Sequence, residues 1–410
     1  MATTHQWQFS PRFRRHAFGW QSDTPILRIK EALAEIKAAA KKEPALAAEG
    51  AVLLLTKLVP AIEQVDSSSG YIGSAVDNAI ATLVPIIASA DVPAAVRANW
   101  LERLWAAYVA DGTALIEYLG HFWGELCATK ELARQWADRL TPGAEAMWEN
   151  RIAGGEFYYF KGTEAGFSAL YATGQYDELF ALIAKSEYRE PSWNYRKWGA
   201  QALVATGKIR EAVAYAEGAK KSFNPPVISI ARFCEQLLLE AGFVDEAYAG
   251  CALDAAYAST NAAMFKSVVK KYPQIPRETI LRDLVARDAG NEGKWFVPAK
   301  DAGLFDLAIE LANKSSCDPR TLTRAAVDYV DKAPEFALSA GMTALRSIAL
   351  GWGYEIKGEH VREAYGAVLK AAESAGVSKE AIDADVRVLV AENGKGGAVV
   401  ERALGPALYS

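Results

Sequence analysis

The residues best placed to do chemistry are His121 and Glu125, in the run Tyr118-Leu-Gly-His121-Phe-Trp123-Gly-Glu125. Four residues apart on a helix, they would share one face. An imidazole beside a carboxylate is the minimal general acid/base unit. Nothing else in the chain reinforces it. His5, His16 and His360 are scattered and no HExxH spacing occurs, so a hydrogen-bonded structural histidine is the more economical reading. Ser67 to Ser69 follow Asp66 without the context of a nucleophile elbow. The stretches Gly394–Gly397 and Gly290–Lys294 lack the spacing of a phosphate-binding loop and a strand before it. Cys127, Cys234, Cys251 and Cys317 form no CxxC pair, which excludes a zinc ribbon or a thioredoxin-type site. We therefore expect no catalytic residue, no metal site and no cofactor, and a chain that is not an enzyme.

The elements that must carry these residues are helices. The chain has 410 residues, is 51% hydrophobic and 23% charged, and carries 45 basic against 50 acidic residues, a net charge of −5. Such a composition can bury a large core, which excludes disorder over most of the length, and its acidic balance excludes a globally basic nucleic-acid coat. From Thr24, a candidate N-cap with Pro25 behind it, Ile26, Ile29, Leu33 and Ile36 fall on one helical face. Helix-sized runs separated by Gly, Pro, Asn or Asp continue to the end, and no alternating β-branched run interrupts them. The fold class is all-α.

The middle of the chain repeats itself. Leu170–Leu179, Leu203–Ala212, Leu238–Ala247 and Ala299–Ala308 each place a glycine at the fifth position: Gly174, Gly207, Gly242 and Gly303. The separations are 33, 35 and 61 residues, the last a little short of two periods. In each copy the glycine can close one helix in the left-handed conformation. Two residues later stands an apolar side chain (Tyr176, Ile209, Val244, Phe305), and five later Leu179, Ala212, Ala247 or Ala308. Pro191 and Pro225 end the second helix of two copies.

This unit resembles a degenerate tetratricopeptide (TPR) repeat over roughly residues 160–315. Its loop glycine, following aromatic and later proline match Gly174, Tyr176 and Pro191, and match Gly207 and Pro225 less fully. The resemblance implies a right-handed α-solenoid of antiparallel helix pairs, TPR-like or HEAT-like. A second resemblance concerns residues 55–140. The run Ile62–Gly73, then helices ending in Trp105 and Leu119-Gly120, is similar to helical repeats that accompany SWIM zinc fingers in uncharacterised bacterial proteins. The CxC…CxH ligand set of the finger itself is absent, so no metal or DNA role carries over.

In a TPR-like stack, the resemblance implies, the first helix of each unit lines the concave groove. Phe157-Tyr-Tyr-Phe160-Lys161 leads the first repeat, and Tyr188-Arg189-Glu190-Pro191-Ser192-Trp193-Asn194-Tyr195-Arg196-Lys197-Trp198 leads the second. Asn194, Arg196 and Lys197 are the polar groove candidates, with Trp193, Tyr195 and Trp198 divided between groove and core. Such a groove would suit a protein or an extended peptide, acidic by complementarity. The competing reading is ordinary packing of the aromatics, with Arg196 paired to a nearby Glu. A basic arm with interleaved aromatics, Arg12, Arg14 and Arg15 beside Phe13 and His16, offers the alternative of nucleic-acid binding together with Arg196 and Lys197. A solvated arm is the plainer expectation for it, and packing of Phe18 and Trp20 onto the end of the helices comes next.

The expected organisation is an arm over 1–24, a helical region over 25–150, repeats over 151–317 and a C-terminal helical region and cap over 318–410. Short linkers favour one continuous body, and if there are two, Thr141–Gly155 is the expected hinge. In the last region Asp318 or Pro319, Pro334, Gly358 and Ser378 mark helix starts, and Asn393–Gly397 reads as a loop. The N-terminus lacks the apolar core of a signal peptide, and the longest apolar stretches, Ala51–Ile62 and Ala79–Ala90, fall short of a bilayer span. Unpaired cysteines and an Ala-rich, bacterial-style composition lead to the expectation of a cytoplasmic protein away from membranes.

Overall fold

The computed structural model describes residues 5–156, 158–188 and 190–409, apart from the side chains at 395 and 406. Phe157 and Arg189 of the aromatic–basic runs therefore lie outside the described residues. Every regular element among those described is helical. The chain divides into two compact units, residues 1–230 and 231–410.

The first unit opens with α1 (Asp23–Ala40), α2 (Pro44–Ile62), α3 (Tyr71–Ala88) and α4 (Ala94–Ala110). The helix α1 starts at Asp23 with Ser22 as N-cap, so Thr24 lies inside its first turn. The expected solvated arm is instead docked. Trp7, Phe9, Phe13 and Phe18 are buried, and their rings follow one another at centroid distances of 5.5, 6.3 and 5.7 Å. The amides of Gln8 and Phe9 donate to Glu35 of α1, and Lys57 of α2 donates to the Ser10 carbonyl and hydroxyl. Gly50, in mid-α2, is the seat of Trp7: a Cβ there would lie 2.6 Å from Cε2 of the indole. Each buried aromatic contributes about 2–3 kcal/mol of apolar burial, more than an arm's local charges can offset. Trp20, by contrast, is exposed.

The helices α2 and α3 have 19 and 18 residues and are apolar enough to cross a membrane by length and composition. This corrects the expectation that no segment reaches that length. Each helix begins well before its apolar run, α2 at Pro44 and α3 at Tyr71. In this fold Leu54, Leu55 and Leu58 of α2 and Ile80, Leu83 and Val84 of α3 are fully buried in the protein core.

A 3₁₀ segment (Glu117–Phe122) leads into α5 (Trp123–Cys127) and α6 (Lys130–Ile152). The expected hinge at Thr141–Gly155 is for the most part helix, because α6 runs through Pro142 and Gly143. Gly143 is a packing position: a Cβ there would stand 2.6 Å from the Phe160 ring. The break falls later, at Gly154, with φ +80°.

Two helical hairpins complete this unit, α7 (Thr163–Thr173) with α8 (Tyr176–Ser186) and α9 (Trp193–Ala205) with α10 (Ile209–Glu217). The helix α6 packs on α7 and α8, and α7 on α8 and α9. The division between units falls inside α11 (Val227–Glu240), which is followed by α12 (Val244–Ala247), a π-helical turn and α13 (Leu253–Ala255). The remaining helices are α14 (Asn261–Lys271), α15 (Arg277–Ala286), α16 (Phe296–Asp301), α17 (Phe305–Lys314), α18 (Pro319–Tyr329), α19 (Pro334–Ala349), α20 (Gly358–Ala375), α21 (Lys379–Glu392) and α22 (Gly394–Leu408).

The four loop glycines all take positive φ, +77° to +79°. At three of them the next amide reaches back five residues: Lys208 to Leu203, Phe243 to Leu238 and Leu304 to Ala299, at 2.8–3.0 Å. This is the closure that satisfies the last carbonyls of a helix. Leu179, Ala212, Ala247 and Ala308, five residues after the glycines, are each 0% exposed. The long 61-residue interval holds one further hairpin, α14–α15, whose turn contains Pro273 and Pro276 in place of a glycine. The stretch expected as a loop at Asn393–Gly397 begins α22, and Asn393 accordingly serves as its N-cap. A Cβ on Gly396 or Gly397 would collide with the backbone of Ala349 or Val390, so these glycines allow close helix packing.

Candidate functional site

A cluster of titratable groups forms where the 3₁₀ segment meets α7 and α9. Asp111, 2% exposed, anchors the approach by accepting from the amides of Thr113 and Ile116 at 3.0 and 2.8 Å. Gly120 and Gly124 then let the chain lie against α7. A Cβ on Gly124 would overlap the Ser168 carbonyl oxygen and come within 2.6 Å of the Ala172 Cβ. Ser168 of α7 fastens the contact by accepting from the Gly124 amide at 3.0 Å and donating to the His121 carbonyl at 2.8 Å.

At the centre stands Glu164, in the first turn of α7, where the helix dipole favours a negative charge. One of its oxygens, Oε1, meets three donors. His121 Nδ1 lies at 2.5 Å, Lys197 Nζ at 2.8 Å and Trp198 Nε1 at 2.9 Å. Burial pushes the Glu164 carboxyl up, but the hydrogen bonds and charges of His121 and Lys197 outweigh it, and the carboxyl sits below its ordinary range. His121 Nδ1 and Lys197 Nζ are 2.9 Å apart because both converge on this oxygen. The other ring nitrogen of His121, Nε2, has no hydrogen-bond partner among the described residues.

Around this knot, Tyr118 meets the His121 ring edge-on at 5.2 Å, and Tyr159 donates to Glu117. Tyr195 stacks on Phe167 at 5.0 Å, and burial raises its hydroxyl pKa. Asp77 of α3 lies close enough to His121 to be lowered by it, though partial desolvation dominates and leaves its carboxyl raised.

The pairing expected from sequence is thus replaced. His121 sits in the 3₁₀ segment and Glu125 on α5, and the carboxylate His121 finds is Glu164, 43 residues on. Glu125 is exposed, and its carboxyl is raised by desolvation with no contribution from His121. Nothing in the sequence marks Glu164 among 50 acidic residues. The one available signal was that Lys197 and Trp198, its partners, already lay in the aromatic–basic run.

The groove candidates are distributed as follows. Asn194 is exposed, and Trp193 and Tyr195 are half-buried. Trp198 is 6% exposed and belongs to the core. Arg196 makes a two-pronged pair with Glu187 at 2.6 and 3.0 Å, donates to the Tyr215 carbonyl at 3.0 Å and covers the Tyr215 ring at 4.7 Å. Lys197 is held by Glu164. In the arm, Arg12 pairs with Glu31 at 2.6 Å, while Arg14 and Arg15 are exposed. The rings of Phe13 and Phe18 beside them are buried, which removes them as stacking surfaces for a base. All four cysteines are free thiols and buried, and burial pushes Cys127 and Cys317 up to about 12.

No family model matches the chain, and no curated protein is similar to it.

Proposed function

We propose that the protein is a non-enzymatic helical-repeat scaffold, TPR-like in its hairpins and solenoidal in their stacking, that binds an extended segment of another protein along the face of α7 and α9. The observation that carries this reading is the recurrence of one hairpin design: glycines at positive φ, a five-residue closing bond at three of the four and a fully buried residue five positions on. Stacked hairpins of this kind leave a continuous face for a partner. Beside it, a cavity of about 580 Å³ between the α7–α8 turn and the end of α9 is lined by Tyr176, Phe180, Leu203 and Thr206, with Asp177, Glu178 and Lys208 at its edge. That mixed lining suits a peptide held through its backbone and small apolar side chains.

Arg196 and Lys197 have their charges answered by Glu187 and Glu164, so a partner's acidity is not what the groove selects. Exposed Asn194 is the contact open to a ligand, with half-buried Trp193 beside it in the chain. The buried free thiols support a reducing, cytoplasmic setting. Nucleic-acid binding is the alternative, and it rests on Arg14 and Arg15 once Arg12 is paired.

The test is capture from the native lysate, with and without nuclease, by the wild-type chain and by a Trp193→Ala/Asn194→Ala double variant. We expect a protein that survives nuclease and falls at least about ten-fold in the variant. Equal recovery on both chains would overturn the groove. Recovery of nucleic acid that is lost with Arg14→Ala/Arg15→Ala would establish the alternative.

A further inference from the structure

In the second unit, α14 and α16 frame a cavity of about 270 Å³. Its floor is apolar: Phe265, which is 5% exposed, with Val269, Pro298 and Ala302. Its rim is basic. Lys266 and Lys270 stand four residues apart on one face of α14, and Arg277 opens α15. All three are exposed, and none makes an ion pair or side-chain hydrogen bond among the described residues.

Cations beside them on α14 and α15 are committed. Lys271, the next residue along, holds Glu235 at 2.7 Å, and Arg282 of α15 holds Glu278 at 2.9 Å. The carboxylate on the cavity wall, Asp301, is already paired with Lys300 at 2.6 Å, so it does not neutralise the rim. Two lysines at i and i+4 repel one another along a helix. A bound anion removes that cost, and the apolar floor rewards whatever the anion is attached to.

We propose that this cavity binds a small amphiphilic anion, an aliphatic carboxylate whose tail lies against Phe265 and Val269 and whose head sits among Lys266, Lys270 and Arg277. At about 30 Å³ for a water-sized group, the cavity has room for roughly nine such groups, which is an acid of about eight carbons. The head group supplies orientation through charge-assisted hydrogen bonds, with Arg277 able to grip both oxygens. The proposal concerns a different unit from the peptide reading and stands or falls separately from it.

Titration calorimetry on the full chain tests it, with octanoate, octanol and acetate as probes. Saturable one-to-one octanoate binding is expected, with octanol weaker by about ten-fold or more and acetate not bound. Lys270→Gln/Arg277→Gln should weaken octanoate about ten-fold while leaving octanol unchanged, because only the head-group contacts are removed. Ala302→Trp, which fills the cavity, should abolish both. Three results would overturn the proposal: no saturable octanoate binding, octanoate and octanol binding alike, or octanoate binding indifferent to the cation variants. The exposed cations have no partners to lose, so their variants keep the test intact even if the tryptophan variant fails to fold.

Discussion

Each unit draws one glutamate inward, Glu164 half-buried and Glu235 buried, and the two are held differently. Glu164 gathers donors from two separate elements, His121 of the 3₁₀ segment and Lys197 and Trp198 of α9. Glu235, 3% exposed, receives Tyr272 Oη at 2.6 Å and Lys271 Nζ at 2.7 Å, two consecutive residues at the end of α14. The first arrangement ties three parts of its unit at one oxygen. The second ties one helix end to α11. The Lys271 side chain is 46% exposed against 21% for Lys197, so water can replace the Glu235 partner more readily than the Glu164 partners. A buried charge is therefore worth little by itself, and what matters is how many elements depend on it and whether solvent can take over its partners.

The sharpest way to break this contrast is Glu164→Leu. It strands a half-buried histidine, a lysine and an indole N–H together, and we expect a loss of about 3–5 kcal/mol by chemical denaturation. Glu235→Leu should cost less, about 2–3 kcal/mol, since Lys271 can rehydrate and Tyr272 alone is left buried without an acceptor. An equal or larger loss at Glu235 would refute the reading that element count decides. Gly124→Ala tests the approach that makes the first cluster possible. The added methyl meets the Ser168 backbone, and a loss of about 1–3 kcal/mol is expected, with faster hydrogen exchange in the 3₁₀ segment.

The acid limb of stability supplies a finer test. The Glu164 carboxyl is depressed in the folded chain, so the unfolded chain binds more protons just below the ordinary carboxylate range. Its stabilisation is fully present above that range and is lost as pH falls through the folded value. Glu164→Gln should flatten that limb, and an unchanged slope would show that the cluster does not hold the carboxylate. Arg12→Ala should have the smallest effect, under about 1 kcal/mol, because its pair with Glu31 is solvent-exposed.

Much of this was legible in the chain. Gly174, Gly207, Gly242 and Gly303 announce helix ends because positive φ is nearly glycine's alone, and Leu179, Ala212, Ala247 and Ala308 announce tight packing by position. Asp318, Pro334, Gly358 and Ser378 stand at helix starts as read, since capping is a local property. The hairpin α14–α15 escaped because proline can make the same turn without a glycine. Gly143, Gly396 and Gly397 misled in the other direction: they read as breaks, yet they sit in helices where a neighbour presses against the backbone.

By itself the sequence determined the helical class, the hairpin unit and the positions that close and bury it, because each depends on residues within a few positions of one another. Only the tertiary structure decided that Trp7, Phe9, Phe13 and Phe18 leave solvent for the core. It alone decided that His121 meets Glu164 and not Glu125, and that Lys266, Lys270 and Arg277 surround one apolar cavity. Those outcomes depend on which surfaces meet across dozens of residues, and hydrophobic burial, which drives the meeting, depends on area and not on order in the chain.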